Sequence, residues 1–119
     1  MKFTLKIKKG RTFKYIFRRG KYTSGNYLSV HICKTKYDSS YNFFGVCVSK
    51  KNGNSVQRNK LKRWVREVYK CEESKIKKGY NIVVLYKKTT EIKKLNLSYE
   101  VIRNDMVACF KKLKLYENT

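Results

Sequence analysis

The chain has 119 residues, of which 30 are Lys or Arg and 8 are Asp or Glu, giving a formal charge of +22. Apolar residues make up 41% of it, which excludes a disordered basic tail and suffices for one modest core, so a single domain over 1–119 is expected. Like charge at this density repels itself in a compact fold unless a polyanion neutralises it, which points to nucleic acid ahead of an anionic membrane.

The first nine residues alternate charged with apolar side chains and lack the apolar core of a secretory signal, and no stretch approaches membrane-spanning length; a cytoplasmic protein is expected. Phe13, Ile16 and Phe17 at i, i+3, i+4 spacing predict a short helix over 12–19, closed by Gly20. A very short strand near 21–22 is expected next, followed by two β-type runs, 27–34 and 42–49, joined by a loop over 36–40. In these runs Leu28, Val30, Ile32, Phe44, Val46 and Val48 point one way. Tyr27, Ser29, His31 and Cys33 point the other way, as do Phe43, Gly45, Cys47 and Ser49. One sheet face is therefore aliphatic and belongs under helices. The other is small and polar with scattered rings. With Phe13 and Phe17 at its edge it forms a shallow trough suited to an extended single strand, although both rings serve equally well as core anchors.

The four cysteines include no C-x-x-C pair, and His31 stands alone, which argues against zinc. Cys33 and Cys47, inside the β-type runs, read as small buried hydrophobes in a reducing compartment.

Asn54, with Gln57 three residues on, has the pattern of a capping box opening a helix that runs to about residue 71 or 73. At 100° per residue Leu61, Trp64, Val65 and Val68 form a stripe about 100° wide. Asn59, Lys62, Arg63, Arg66 and Lys70 gather opposite it, with Arg58 and Lys60 on the flanks. A merely solvated face usually mixes signs for i,i+4 support, whereas this one is almost wholly cationic, which suits phosphate. Arg58 and Lys60 also lie near the free amides of the helix N-terminus. The amide oxygen of Asn59 can accept from a hydrated metal ion. Beyond Gly79, Tyr80–Tyr86 reads as a strand buried on both faces. A last helix is expected over 97–115, burying Ile102, Met106, Cys109, Phe110 and Leu113. The eight acids are dispersed, so the sequence offers no carboxylate cluster for a self-sufficient nuclease. A ribosomal protein would explain the charge but not the trough beside this helix. A DNA-binding helix would lack its helix-turn-helix partner.

The run Val48-Ser49-Lys50-Lys51-x-Gly53-Asn54-x-Val56-x-Arg58-Asn59-x-x-Lys62-Arg63-x-x-Arg66-Glu67 resembles the signature of the bacterial ribonuclease P protein family. Phe13-x-x-x-Phe17-x-x-Gly20 upstream and Tyr80-Asn81-Ile82-Val83-Val84 downstream extend the resemblance over nearly the whole chain. It implies an α+β fold, a small ribosomal-protein-like α/β sandwich of αβββαβα order with a left-handed βαβ crossover around the basic helix. It further implies an accessory subunit, pairing 1:1 with a catalytic RNA, in the endoribonuclease that removes 5′ leaders from precursor tRNA. By position, Lys50, Lys51, Arg58, Asn59, Lys60, Lys62, Arg63 and Arg66 would face RNA. Phe13, Phe17, His31, Ser49 and Lys87 would line a leader cleft. Asn59 would lie near a Mg2+ ion held mainly by the RNA, and no protein residue would be catalytic. The chain departs from the family pattern at Lys60, where arginine is usual, and at His31, where a cleft tyrosine is common. It departs also at Ser55 for alanine, Asn81 for an acid and Lys87 for arginine. Lysine at 60 keeps the charge and loses the bidentate fork.

Overall fold

Alternating aliphatic residues in three long strands build one five-stranded sheet, described here from a computed structural model covering residues 1–36 and 40–117. In chain order the elements are β1 (Thr4–Lys6), α1 (Gly10–Arg19), β2 (Lys21–Ser24), β3 (Leu28–Lys34) and β4 (Asn42–Cys47), then α2 (Ser55–Glu72), β5 (Tyr80–Tyr86), α3 (Ile92–Leu95) and α4 (Tyr99–Lys112). Short 3-10 turns lie at Lys50–Asn52 and Glu73–Lys75. The expected αβββαβα order holds from α1 onward, with β1 added in front and α3 added before the last helix. Three-residue β1 and four-residue α3 are too short to show a period. Of the loop expected over 36–40, residues 37–39 lie outside the described residues.

The strands run in the order β1-β4-β5-β3-β2. β1, β4 and β5 are mutually parallel; β3 is antiparallel to both β5 and β2. On the aliphatic face α2 and α4 bury the main core. Leu61, Val65 and Val68 meet Ile102, Met106 and Phe110 above Val30, Ile32, Ile82 and Val84. Each such side chain contributes roughly 1.5–3 kcal/mol. The stripe of α2 is wider than the spacing predicts. Tyr69 is also buried, stacked on Phe44 at 4.2 Å, and its hydroxyl accepts from the Asn42 amide at 3.3 Å. The last helix is shorter than 97–115: Ser98 caps it, and Lys114, in the left-handed region at φ 56°, ends it and tucks Leu115 back into the core.

α1 packs on the opposite face, where Ile16 is fully buried against Val83. Phe13 sits over Gly45, where a Cβ would stand 2.6 Å from its ring, and Phe17 meets His31 edge-on at 4.9 Å. Gly45, Val83 and His31 lie side by side in register on β4, β5 and β3. α1 is therefore a bar laid across the strands, and a side chain larger than hydrogen at 45 would lift one end of it. Because only this bar covers the face, Cys33 and Cys47 are half-buried rather than the buried hydrophobes the sequence suggests; the buried cysteine is Cys109. For the same reason Asn81 and Leu85 are only half-buried, and Tyr80, at the start of the strand on the other face, is half-buried too, so β5 is not buried along its whole length.

The topology carries a chirality. Both β4–α2–β5 and β1–α1–β2 join parallel strands and step toward the β2 edge, but their helices lie on opposite faces. The two crossovers must then have opposite hands, so one is left-handed against the strong right-handed preference.

Two buried carboxylates tie down the periphery. Asp105 of α4 accepts from the backbone amides of Asn26, Tyr27 and Leu28 at 2.7, 2.9 and 3.2 Å, anchoring the β2–β3 turn. Glu73 accepts from the amides of Lys2 and Phe3 and the Thr4 hydroxyl, which holds β1 against β4.

Candidate nucleic-acid interface

The bar of α1 leaves part of its sheet face open. One register step beyond the row that it covers lie Cys47, Leu85 and Ser29, side by side on β4, β5 and β3. They floor a trough whose near wall is α1. Phe17 is 39% exposed on that wall, while Phe13 is half-buried over Gly45, so the two rings divide the roles that the sequence leaves open. Phe13 anchors, and Phe17 presents. Tyr22, which the sequence reading did not single out, stacks on His31 at 5.2 Å and 17° and stays 66% exposed. Its signal lies in the hairpin, because Tyr22 is opposite His31 across the β2–β3 pair. A neighbouring strand thus supplies a tyrosine ring beside the histidine. Burial holds the His31 imidazole below its usual pKa, so it is neutral at pH 7. Its Nε2 shares a hydrogen bond with the Ser29 hydroxyl at 3.0 Å.

The far end of the trough is built by a second residue that sequence reasoning missed. Asn52 is fully buried; its side-chain oxygen accepts from the Ser49 amide at 2.9 Å, and its nitrogen donates to the carbonyls of Lys87 and Thr90 at 2.7 and 2.9 Å. One amide thus fixes Ser49, Lys50 and Lys51 to Lys87 at the end of β5. Gly53 follows at φ 120°, in the region that favours glycine, and turns the chain into α2. The capping box forms as its spacing predicts: Gln57 N–H donates to Asn54 Oδ1 at 2.9 Å, and Asn54 N–H donates to Gln57 Oε1 at 3.0 Å.

The predicted RNA-facing residues of α2 fan out around the helix. Arg58 and Lys62 are half-buried on the flank toward the trough. Burial raises the Cys47 thiol pKa while the charge of Lys62 draws it back, which places Lys62 near the trough floor. Asn59, Arg63, Arg66 and Lys70 are exposed and point away from the core. Lys60 stands apart on the other flank, with its ammonium 5.5 Å from the Trp64 ring centroid. Among the described residues none of these cations pairs with a carboxylate; the ion pairs present are Lys75–Glu72, Lys94–Glu91 and Arg103–Glu100. Among the described residues two buried side-chain atoms lack a hydrogen-bond partner, Arg58 Nε and His31 Nδ1. Both belong to residues at the trough, and an unmet buried polar atom is costly unless a ligand supplies its partner. Among the described residues no three His, Cys, Asp or Glu side chains come together to hold a metal. Asn59, a lone exposed amide, fits only an outer contact to a metal-bound water.

Taken together, the arrangement defines a small basic α+β protein with a cationic helix standing at the mouth of a ring-lined trough. Comparison with known proteins agrees. The chain matches the family model for ribonuclease P over residues 1–114. It is 37% identical over 112 residues to the ribonuclease P protein component of Clostridium botulinum (strain 657 / Type Ba4), covering 93% of this chain and 96% of that one. The solved Staphylococcus aureus RNase P protein superposes with a TM-score of 0.82 at 29% identity, covering 94% of this chain and 97% of that one. The Thermotoga maritima RNase P protein gives 0.74 at 30% identity, with 87% and 93% covered. The chain belongs to the ribonuclease P protein family. Its partner is accordingly the ribonuclease P RNA, and the assembly is a ribonucleoprotein endoribonuclease of tRNA processing. No helix among the described residues is long and apolar enough to cross a membrane.

Proposed function

We propose that this subunit grips the single-stranded 5′ leader of precursor tRNA in the trough beside α1 while the outer face of α2 binds the catalytic RNA. The observation that carries the reading is the pair of orphaned buried atoms, Arg58 Nε and His31 Nδ1, between an exposed ring wall and an unpaired cation ladder. Bases of the leader stack on Phe17 and Tyr22, and its phosphates meet Arg58, Lys62 and Lys87. Lys50 and Lys51, held in place through Asn52, and Ser49 close the far end. Asn59, Arg63 and Arg66 face the catalytic RNA; Lys60 adds charge on the far flank.

The RNA carries the chemistry in this reading, because the protein's buried carboxylates are committed to structural hydrogen bonds, as at Asp105 and Glu73. Mg2+ ions bound mainly by the RNA supply activation of water and stabilisation of the leaving oxygen. The protein neutralises RNA charge, orients the leader and, through Asn59, hydrogen-bonds a metal-bound water. It works as one subunit per RNA in the cytoplasm. Cleavage of 5′-end-labelled precursor tRNA at low magnesium tests this. The RNA with this protein should cut at the leader junction, whereas protein alone should not cut. Cleavage by protein alone, or no rescue across several ribonuclease P RNAs, contradicts it.

A further inference from the structure

α1 leaves the other side of the same sheet face open too. There Leu5, Phe43, Asn81 and Cys33 lie in register across β1, β4, β5 and β3, one step beyond the covered row and opposite to the leader trough. The first three of these border a cavity of about 660 Å3. Leu5, Ile7 and Phe43 give it an apolar floor, and Thr12 and Tyr15 of α1 wall it. Its rim carries Lys6, Lys8, Lys9, Arg11, Lys34 and Lys36, and none of the described lining residues is acidic. Among the described residues none of these six cations is in an ion pair. Tyr15 is 45% exposed, with the Lys36 ammonium 6.0 Å from its ring centroid. The first turn of α1 beside this rim has neither an acid nor a side-chain cap.

An exposed ring and an apolar floor inside a ring of unpaired cations is the layout that takes a base on the ring and its phosphates on the rim. A flat bilayer does not enter a cavity of this size, and neither does a duplex; one or two unpaired nucleotides do. The leader is not the source. The two openings are separated by α1, about 10 Å across. Backbone bounds α1 at both ends, through Ile7–Lys9 on one side and Gly20 into β2 on the other. A strand lying in the first trough would have to climb over the helix to reach the second. We infer that the groove walled by Tyr15 is a second RNA site, which takes unpaired nucleotides of the catalytic RNA. It rests on this family's pairing with that RNA, and it is independent of where the leader lies.

The test uses the full chain with ribonuclease P RNA. A photoreactive p-benzoylphenylalanine in place of Tyr15 should crosslink to unpaired nucleotides of the catalytic RNA, mapped by primer extension on the assembled holoenzyme. Tyr15→Ala should weaken RNA binding by about 5-fold or more, the effect of losing one stacked base. Lys34→Ala with Lys36→Ala should flatten the slope of log affinity against log salt by roughly 1.5 to 2. Thermal melting of each variant controls for folding, which exposed positions should leave intact. Crosslinks to the leader alone, or no crosslink with affinities within about twofold of wild type, overturn the inference. If the unmodified protein itself fails to bind the RNA, the family-based pairing fails instead.

Discussion

The two faces of the sheet are built from alternate residues of the same strands, yet they are finished differently. On one, α2 and α4 bury Leu28, Val30, Ile32, Ile82 and Val84 completely or nearly so. On the other, a single ten-residue helix covers one row and leaves half-buried cysteines and exposed rings on either side, with the unpartnered Arg58 Nε and His31 Nδ1 both at the leader trough. Stability is concentrated where packing is complete. Binding chemistry collects where it is deliberately incomplete, because an unmet donor or a bare ring has value only to a ligand.

The largest expected effect sharpens that contrast. Ile82→Ala, in the face under α2 and α4, should destabilise the fold by about 2–5 kcal/mol in urea titration. An exposed ring such as Phe17, cut to alanine, should lose well under half of that. Equal losses would dissolve the distinction. Next in size, Arg63→Ala with Arg66→Ala should leave the melting temperature nearly unchanged. The same pair should flatten the salt dependence of catalytic-RNA binding by roughly 1.5 to 2 in log–log slope. An unchanged slope would remove both residues from the RNA-facing set. The smallest effect is a pH dependence. Burial lowers the His31 pKa from 6.5, so as pH falls the unfolded chain takes up a proton before the folded one does. Stability from this group is full above about 6.5 and is lost as pH falls through the folded value. His31→Gln should abolish that contribution in pH-dependent melts.

The basic helix was legible because a capping box, a four-residue apolar stripe and a one-signed opposite face all agree on one element. The aliphatic strand faces were legible for a similar reason, since period-2 alternation survives without any knowledge of neighbours. What escaped the sequence was whatever depends on pairing. β1 is a strand only because Glu73 and β4 hold it. Tyr22 enters the trough only because the hairpin register sets it opposite His31. Asn52 looks like an ordinary turn residue, and its burial at the junction of Ser49 with Lys87 arises from a contact 35 residues away in sequence. Cys33 and Cys47 read as buried hydrophobes from their place inside β-type runs, but how much of their face one helix covers is set by tertiary packing, and it leaves them half-buried.

The central claim is the division between a leader-holding trough and an RNA-holding helix face. It is tested most directly by the ratio of holoenzyme affinities for leader-bearing precursor and leaderless tRNA. With Phe17→Ala in the protein, that ratio should fall by about 5-fold or more, the loss of one stacked base, while catalytic-RNA binding stays intact. A ratio that stays at its wild-type value would contradict the placement of the leader beside α1.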